Sequence, residues 1–385
     1  MIRPRRLLSI AHSYGVTLNR RLAHELALID GGRWEVTAVA PKYFVGANDL
    51  RAVHLEPLPQ ELYELVPINA YLTNRVHFFV YGWHLRSLLA EPWDIVHCWE
   101  EPYILVGGQA AWWTPARTPL VFTTCQNLSK SYPPPFDWVE RYAIGRAAGW
   151  IGIGQVVVEN LRTRPGYERL PGVAIPLGTD MTTFRPDPAA RVAIRNKLEW
   201  KAQGPAVVGY LGRFVPQKGL GLMMRALDRV SSPWRALFVG AGPLEPALRE
   251  WAKRHGDRVR ICSAVPHDDV PAYVNAMDIL CAPSQTTARW KEQFGRMLVE
   301  AFACGVAVIG SDSGEIPHVV GDTGLIVSES DEPGWARAIA ELIEDPTKRA
   351  DLAARGVARA HDEFAWGVVA RRYVEFFESV AGGPR

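Results

Sequence analysis

The sequence predicts an α/β protein made of two parallel sheets, each covered by helices on both faces. Short apolar segments alternate with amphipathic segments along nearly all of the 385 residues. This alternation is typical of buried parallel strands joined by crossover helices. A chain of this length is expected to form two cores. A stretch rich in Pro, Gly and Thr at residues 171–188 separates two such series, so two doubly wound units are predicted.

The first unit is predicted to span residues 1–176. Residues 18–28 and 138–148 have the spacing of amphipathic helices. Residues 66–90 mix aromatic and basic side chains and are interpreted as a helix packed on the first sheet. The alternative is a helix that lies in a membrane interface. The strand-like segments are RLLSIAHS, WEVTAVAP, AVHLEPL, DIVHCWE, PLVFTTC, WIGIG and VAIPLGT.

The second unit is predicted to span residues 177–365. Asp187 and Pro188 have the residue types of a helix cap and a first helical residue. Residues 246–255 and 334–345 have helical periodicity. A final helix in residues 366–385 is expected to cross back to the first unit. The strand-like segments are AVVGYLGR, RALFVGAG, VRICSAV, DILCAPS, VAVIGSD and GLIVS.

Composition narrows the class of protein. The chain carries 43 Lys and Arg against 41 Asp and Glu, a formal charge of +2, which argues against general nucleic-acid binding. Its five cysteines have no CxxC spacing, which favours free thiols in a reducing compartment. No apolar run is long enough to span a membrane and no signal peptide is recognised. We expect a cytoplasmic protein, with peripheral contact at the inner membrane face as an alternative.

The segment after DILCAPS carries the chemistry. Glu292 and Glu300 lie eight residues apart, and Gly295 stands where a helix is expected to begin. A helix start offers unpaired N–H groups that suit phosphate. If the interval were helical, it would span roughly 12 Å, so one carboxylate would hold a ribose and the other a sugar across a diphosphate. The alternative is two solvent-facing glutamates, but Glu300 lies in the apolar run LVEAFA, where an unpaired charge is costly.

The run EQFGRMLVEAFACGVAVIGSDSGEIP resembles the signature of family 4 retaining glycosyltransferases. These belong to the glycogen synthase/phosphatidylinositol mannosyltransferase-like superfamily. YLGRFVPQKGL resembles the family's phosphate-binding segment, PLGTDMTTFRP its interdomain segment and HCWEEPY its acceptor-side segment. The order and spacing of these segments match the family over essentially the whole chain. The resemblance implies the GT-B fold, in which two Rossmann-like domains face each other across a central cleft.

The resemblance also implies roles for individual residues. Arg213 and Lys218 are expected to bind the diphosphate and stabilise its departing charge, as cations beside a leaving phosphate do. Glu292 is expected to contact the donor sugar. The remaining donor-binding residues implied are Gly15, Phe294, Gly295, Arg296, Leu298 and Glu300.

The acceptor side departs from the family pattern. Many members have H-x-H-E-P, whereas this chain reads HCWEEP. His97 matches the first histidine and is interpreted as a core group, while Trp99 replaces the second and is a candidate for stacking on sugar or nucleotide. Glu101, or alternatively Glu100, is the candidate for orienting the sugar or assisting proton transfer.

The resemblance implies transfer of a sugar from a UDP- or GDP-sugar to a glycan, lipid or small-molecule acceptor. In the family's usual account the leaving phosphate takes the acceptor's proton. Such a site needs no nucleophilic side chain, and the sequence has no Asp-x-Asp triad for a metal. We therefore expect no metal, no cofactor and no nucleic-acid partner. Aromatic residues 66–90 raise the alternative of a lipid-linked acceptor.

Three groups of alternative functions remain open. VGAGPLEPALRE begins like G-x-G-x-x-G, but Glu245 replaces the third glycine, so the fingerprint of a nicotinamide-dependent oxidoreductase is incomplete. A sugar-nucleotide epimerase or a phosphorylase of the same fold would share the cleft. A non-catalytic nucleotide-sugar-binding module is the third, and donor turnover would distinguish it.

Overall fold

The computed structural model describes residues 3–45, 53–55, 61–200 and 204–382. The chain divides into two compact units. Unit 1 comprises Met1–Gly178 and Trp366–Arg385, and unit 2 comprises Thr179–Ala365. The division falls two residues after the predicted boundary at residue 176. Part of the predicted strand AVHLEPL, residues 52 and 56–58, lies outside the described residues.

The strands carry short labels in chain order. They are β1 Arg5–Ile10, β2 Trp34–Pro41, β3 Tyr43–Phe44, β4 Val53–His54, β5 Glu64–Ile68, β6 Ala70–Tyr71, β7 Val80–Tyr81, β8 Ile95–Cys98, β9 Leu120–Thr124, β10 Gly149–Gly152, β11 Gly172–Ala174, β12 Ala206–Leu211, β13 Trp234–Val239, β14 Val259–Cys262, β15 Ile279–Ala282, β16 Ala307–Ser311 and β17 Leu325–Val327.

The α-helices are labelled in the same way. They are α1 Thr17–Leu28, α2 His84–Leu89, α3 Leu105–Trp113, α4 Phe136–Arg146, α5 Gln155–Arg162, α6 Pro188–Lys197, α7 Leu220–Arg229, α8 Glu245–Lys253, α9 Val270–Asn275, α10 Arg296–Ala303, α11 Ile316–Val320, α12 Glu332–Glu344, α13 Pro346–Arg359 and α14 Trp366–Ala381.

Each unit has one large parallel sheet, as the sequence predicts. Unit 1 has the strand order β11-β10-β9-β8-β1-β2-β5, and unit 2 has the order β14-β13-β12-β15-β16-β17. In both sheets the first strand of the unit is central, and the chain then builds outward in both directions. Strand order therefore reverses beside β1 in unit 1 and beside β12 in unit 2. Open parallel sheets bind ligands at the carboxyl ends of the strands at such a switch point.

The prediction of a helix over residues 66–90 is wrong. The structure places strands β6 and β7 in this stretch, and helix α2 begins only at His84. The physical reason is local, because Pro67 lies in β5 at the sheet edge, where its missing N–H is tolerated. Phe79 and Tyr81 are buried, whereas Trp83 is 70% exposed, so the aromatic side chains serve both core and surface.

Other local predictions are confirmed. The Asp187 carboxylate accepts a hydrogen bond from the Ala190 amide at 2.8 Å, and Pro188 opens helix α6. Helix α14 belongs to unit 1, where Tyr373 and Phe377 are buried in the core with strand β1. Among the described residues, no helix has both the length and the hydropathy needed to cross a membrane.

Candidate active site

Lys218 and Glu292 meet at the switch point of unit 2. Lys218 follows β12, Glu292 follows β15, and Lys218 Nζ lies 2.5 Å from Glu292 Oε2. The Ser284 hydroxyl donates to the same carboxylate oxygen at 2.7 Å. The side chains of Lys218 and Glu292 are 15% and 7% exposed, so water screens this charge pair little. The structure thus brings together two residues that the sequence separates by 74 positions.

The backbone beside Lys218 requires a glycine. Gly219 has a φ of 72°, and a Cβ added there would lie 1.7 Å from the carbonyl oxygen of Pro283. The loop after β12 therefore rests directly on the loop after β15, at a distance that only glycine permits. This contact fixes the position of the lysine relative to the carboxylate. Lys218 Nζ also lies 5.2 Å from the ring centroid of Trp290, within cation–π range.

Arg213 supplies a second cation at the carboxyl end of β12. Its side chain is exposed, and it has no ion pair with any residue in the described part of the chain. Its carbonyl oxygen accepts a 2.8 Å hydrogen bond from the Tyr210 hydroxyl. Burial raises the pKa of Tyr210, and the Glu292 carboxylate raises it further, so the phenol stays protonated and able to donate. Arg213 is therefore anchored by its backbone while its guanidinium faces solvent.

Helix α10 begins as predicted, directly after Gly295. Gly295 has a φ of 83°, and no side chain caps the first turn, so its first N–H groups are available to an anion. The Phe294 ring is buried against Phe364, with ring centroids 5.9 Å apart, and this leaves only its backbone for a ligand. The side chain of Leu298 is fully buried and its amide donates to Gly295 O at 2.8 Å. Leu298 therefore has no free polar group with which to make the predicted contact to the donor.

The interval between Glu292 and Glu300 is not one continuous helix, as the predicted spacing assumed. Only residues from Arg296 onward are helical, so the estimate of about 12 Å from eight helical residues does not apply. Glu292 instead lies in the loop before the helix, where its carbonyl oxygen accepts from the Glu315 amide at 3.1 Å. The two carboxylates are therefore positioned by different elements.

Glu300 is a buried carboxyl group on α10. It is 6% exposed, and its carboxylate makes no hydrogen bond with any residue that the structure describes. Burial raises the pKa of Glu300 to about 7, and the charge of Arg296 opposes this rise. A carboxyl group without hydrogen-bond partners in an apolar helix is costly, unless a ligand supplies the missing donors.

The core assignment of His97 agrees with the structure. His97 is fully buried, with Nδ1 2.8 Å from Ser9 Oγ and Nε2 2.9 Å from Thr123 Oγ1. Burial lowers the pKa of His97 to about 3. The ring is therefore neutral, with both nitrogens engaged inside the sheet of unit 1, and neither is free for a substrate.

Trp99 does not fit the stacking role. Its indole is 8% exposed and packs edge-on against Tyr14, with ring centroids 6.1 Å apart. The ring is part of the core of unit 1. A buried indole ring cannot stack on a sugar or a base. The packing of Trp99 therefore excludes the predicted stacking role.

Glu101 is held at the carboxyl ends of β8 and β9. The Thr124 hydroxyl and the Cys125 amide, the latter at 2.7 Å, both donate to its carboxylate. Burial raises the pKa of Glu101 to about 7, although the hydrogen bonds from Thr124 and Cys125 lower it. Such a carboxyl group can lose or gain a proton near neutral pH.

Glu100 has a different partner, which the sequence reasoning missed. Its side chain is fully buried, and its Oε2 lies 2.6 Å from Nδ1 of His12. The sequence signal that could have identified this partner was position. One residue separates His12 from the end of β1 in SIAHSYG, just as one residue separates Arg213 from the end of β12. Gly15 ends the short 3₁₀ turn that His12 begins. Among the described residues, no group of three or more His, Cys, Asp or Glu side chains is arranged to hold a metal.

The family described as "Glycosyl transferases group 1" matches residues 205–345. The D-inositol 3-phosphate glycosyltransferase of Xylanimonas cellulosilytica is 30% identical over 318 residues, which cover 75% of this chain and 72% of that protein. The chain belongs to the group 1 glycosyltransferases.

Two other relatives match over shorter regions. A GDP-mannose-dependent monoacylated alpha-(1-6)-phosphatidylinositol monomannoside mannosyltransferase of Corynebacterium glutamicum is 31% identical over 56% of this chain. A phosphatidyl-myo-inositol mannosyltransferase of Mycolicibacterium smegmatis is 32% identical over 60% of this chain. The chain spans 57% and 58% of the lengths of these two proteins.

Solved structures agree in fold over the whole chain. HepE of Anabaena, crystallised in complex with UDP, has a TM-score of 0.74 at 21% identity and covers 97% of this chain and 100% of its own. A glycosyltransferase from Rickettsia africae has a TM-score of 0.77 at 15% identity, with both chains fully covered. These likenesses, with the two parallel sheets, confirm the predicted GT-B fold class.

The glycines of VGAGPLEP have a packing role that accounts for them without a dinucleotide. A Cβ added at Gly240 would lie 1.8 Å from the carbonyl oxygen of Gly212, and one at Gly242 would lie 2.6 Å from that of Phe214. The loop after β13 therefore packs directly on the loop after β12. With the family established, the oxidoreductase alternative has no remaining support.

Proposed function

We propose that the chain transfers a sugar from a UDP- or GDP-sugar to a hydroxyl of a glycan, lipid or small-molecule acceptor. We propose that transfer retains the anomeric configuration and needs no metal or cofactor. One observation carries this proposal. Lys218, Glu292 and the uncapped start of helix α10 are gathered at the switch point of one parallel sheet, where this class of fold binds nucleotides.

The donor's diphosphate suits the cations of unit 2. Lys218 is held by Glu292, and Arg213 has an exposed guanidinium. Cations beside the departing phosphate stabilise the negative charge that develops as the sugar leaves. The amides at the start of α10 would add neutral donors to the same phosphates. A site with this much positive character does not depend on a metal ion to neutralise the leaving group.

The ribose suits Glu300. Its buried carboxylate has no hydrogen bond to any described residue, and two neighbouring ribose hydroxyls would supply two donors. A pair of hydrogen bonds to a carboxylate would also favour its ionised form over the protonated one. Glu300 would then distinguish a nucleotide from an inorganic diphosphate.

The acceptor side is proposed to lie on unit 1, with Glu101 as the group that orients a sugar hydroxyl. Its carboxylate is fixed by Thr124 and Cys125 and its pKa is raised to about 7. Transfer with retention requires attack and departure on the same face of the sugar. The family resemblance implies that the leaving phosphate assists the loss of the acceptor's proton.

A lipid-linked acceptor is favoured by exposed tryptophan side chains on unit 1. Trp83, Trp112 and Trp138 are 70%, 73% and 64% exposed. Trp83 stacks on Trp113 with ring centroids 5.5 Å apart, and the Arg86 guanidinium lies 5.5 Å from the Trp83 ring. Tryptophan with nearby arginine suits the headgroup layer of an anionic bilayer. Two relatives are named for action on phosphatidylinositol lipids.

Membrane contact is tested by co-sedimentation with phosphatidylglycerol/phosphatidylcholine vesicles. Replacing Trp112 and Trp138 with serine is expected to reduce the vesicle-bound fraction severalfold. Val192→Ser, on an exposed site of unit 2, is the matched control and is expected to bind as the wild type does. Equal binding by all three proteins would remove the lipid surface from the proposal.

Two alternatives of the same fold have distinct products. An epimerase interconverts nucleotide sugars without releasing the nucleotide, and a phosphorylase depends on inorganic phosphate. A binding module holds the donor without turnover. Release of nucleotide diphosphate, in buffer without phosphate, is therefore the reaction that separates the proposed transferase from all three.

The first experiment combines thermal shift with turnover. UDP, GDP and ADP, their common sugar conjugates and NAD(P)H are screened against the purified chain, followed by nucleotide release from each stabilising donor. A ligand at a hundredfold excess over its Kd stabilises the fold by about 2.7 kcal/mol. Stabilisation by one nucleotide diphosphate together with turnover supports the proposal, whereas stabilisation by NAD(P)H alone contradicts it.

A further inference from the structure

A cavity of about 510 Å³ lies at the amino ends of the central strands of unit 2. Ala206 begins β12, Pro233 directly precedes β13 and Asp278 directly precedes β15, and all three line the cavity. Lys218 and Glu292 lie at the other edge of this sheet, because they follow the carboxyl ends of β12 and β15. The six residues of β12 extend about 20 Å, so the cavity is separate from the candidate active site.

Arginine side chains from two helices line this cavity. Arg191 and Arg195 belong to α6, and Arg349 belongs to α13. Among the described residues that line the cavity, Asp278 is the one with an acidic side chain. Its Oδ1 accepts a hydrogen bond from Arg191, and its Oδ2 accepts one from Arg195 at 2.7 Å and one from the Val207 amide at 2.7 Å. Two guanidinium groups therefore share one carboxylate, and positive charge exceeds negative charge in the lining.

Arg349 has no carboxylate partner among the described residues. Its Nη1 donates to the carbonyl oxygens of Leu342 and Ile343 at the end of α12, the latter at 3.3 Å. Its Nε and Nη2 groups make no hydrogen bond to any residue that the structure describes. The two carbonyl oxygens hold the guanidinium in place without neutralising it, and its remaining N–H groups are available to an anion.

The excess of positive charge also affects Arg195, whose side chain is 5% exposed. Burial lowers the pKa of Arg195. The Asp278 carboxylate opposes this effect, and the charges of Arg191 and Arg235 add to it. Arg235 borders the cavity, since a Cβ added at the lining residue Gly204 would lie 2.8 Å from Arg235 Nη1. An anion in the cavity would stabilise the charged form of these crowded guanidinium groups.

We propose that this cavity binds a small phosphate anion, either free or as the monoester of a small metabolite. Guanidinium groups present pairs of N–H donors that match the oxygens of phosphate. A phosphate monoester carries a charge of about −1.5 to −2 at neutral pH, which would offset the excess of arginine. Pro205, Ile343 and Pro346 supply apolar lining for the carbon part of an ester. The volume lies within the range of about 300–1,000 Å³ of small-molecule sites.

Isothermal titration of inorganic phosphate and of ribose 5-phosphate into the full chain tests this site, with sodium chloride of equal ionic strength as the blank. Arg349→Gln is expected to weaken the Kd about 10- to 100-fold, because hydrogen bonds from a charged group are lost. Arg349→Lys keeps the charge and is expected to bind with an intermediate Kd. Arg355→Gln, on the same helix but paired with Asp322 at 3.2 Å, is the matched control and is expected to stay within about twofold of wild type.

Lys218→Ala distinguishes this cavity from the candidate active site, which also suits phosphate. Saturable binding is expected to remain in Lys218→Ala and to be lost in the double variant Lys218→Ala/Arg349→Gln. Binding that disappears in Lys218→Ala alone overturns the proposal, as does a wild type without saturable binding at roughly 10 mM ligand. Tighter binding of ribose 5-phosphate than of inorganic phosphate identifies a monoester as the ligand, whereas equal affinity identifies free phosphate.

Discussion

The two switch points of the molecule have matching plans and different chemistry. In each unit, the loop after the first strand supplies a nitrogen group and the loop after the fourth strand of the sheet, β8 or β15, supplies a buried glutamate. In unit 2 the partner is Lys218, a cation that cannot easily give up its charge. In unit 1 it is His12, whose charge changes near neutral pH.

This difference favours the switch point of unit 2 as the place of the diphosphate. A permanent cation suits a diphosphate, whose charge persists through the reaction. The sequence motifs of the family emphasise unit 2, whereas the pair in unit 1 is visible only when β1 and β8 are neighbours in the sheet.

Of the variants that test this comparison, Lys218→Ala is expected to have the largest effect on nucleotide release. Loss of the cation removes the ion pair with the buried Glu292 carboxylate and the stabilisation of the leaving group. Nucleotide release is expected to fall roughly 100- to 1,000-fold, with Kd for nucleotide diphosphate weakened as well. Lys253→Ala, at an exposed lysine of the same unit, is the control. Wild-type turnover in Lys218→Ala would remove the cation from the mechanism.

Glu300→Gln sharpens the account of unit 2, with opposite effects on binding and stability. Affinity for nucleotide diphosphate is expected to fall about 10- to 100-fold, because a charged acceptor for the ribose is lost. Isothermal titration calorimetry measures this loss, with the exposed Glu341→Gln as control. Unchanged affinity would place the ribose elsewhere.

The same variant tests the raised pKa of Glu300. A carboxyl group whose pKa rises from 4.5 to about 7 on folding destabilises the protein as pH increases through that window. Relative to wild type, Glu300→Gln is therefore expected to be more stable at pH 8 than at pH 5, by about 1–3 kcal/mol. Urea unfolding without ligand measures the difference. A difference that is the same at both pH values would contradict the buried, protonated carboxyl.

A smaller effect distinguishes Glu101 from His97, which lie after and within strand β8. Glu101→Gln is expected to lower turnover about tenfold, because an amide cannot accept two hydrogen bonds from Thr124 and Cys125 as a carboxylate does. His97→Asn is expected to lower stability by about 1–3 kcal/mol through its lost bonds to Ser9 and Thr123. Its turnover per folded molecule is expected to remain. The reverse order in turnover would restore His97 as a reacting group.

The smallest expected effect is that of a chelator. Excess EDTA is expected to leave the rate of nucleotide release unchanged, because Arg213, Lys218 and the start of α10 neutralise the phosphates in the proposed site. A rate that falls with EDTA and returns with Mg²⁺ or Mn²⁺ would show a metal requirement and contradict the metal-independent proposal.

The sequence predicted much of the framework because the signals are local. Buried parallel strands are continuous apolar runs, Asp187–Pro188 marks a helix start, and Gly295 precedes α10. The helix prediction for residues 66–90 failed because the spacing of their aromatic residues is compatible both with a helix and with short strands. Pro67 was the overlooked indication of an edge strand.

The site was predicted less completely because pairings between distant loops have no local signal. Lys218 and Glu292 were predicted separately from the sequence. Only the folded structure shows that they form an ion pair. It treated Glu100 as a lesser alternative to Glu101, since the partner His12 lies 88 residues away. Trp99 and Leu298 were assigned to ligands because burial cannot be read from an amphipathic run alone.

The most direct test is isothermal titration of GDP and UDP into wild type, Lys218→Ala and the control Lys253→Ala, followed by nucleotide release from the donor that binds. The account predicts that Lys218→Ala loses nucleotide binding and turnover, while Lys253→Ala keeps both. Wild-type binding and turnover in Lys218→Ala would contradict the proposed place of the diphosphate at the switch point of unit 2.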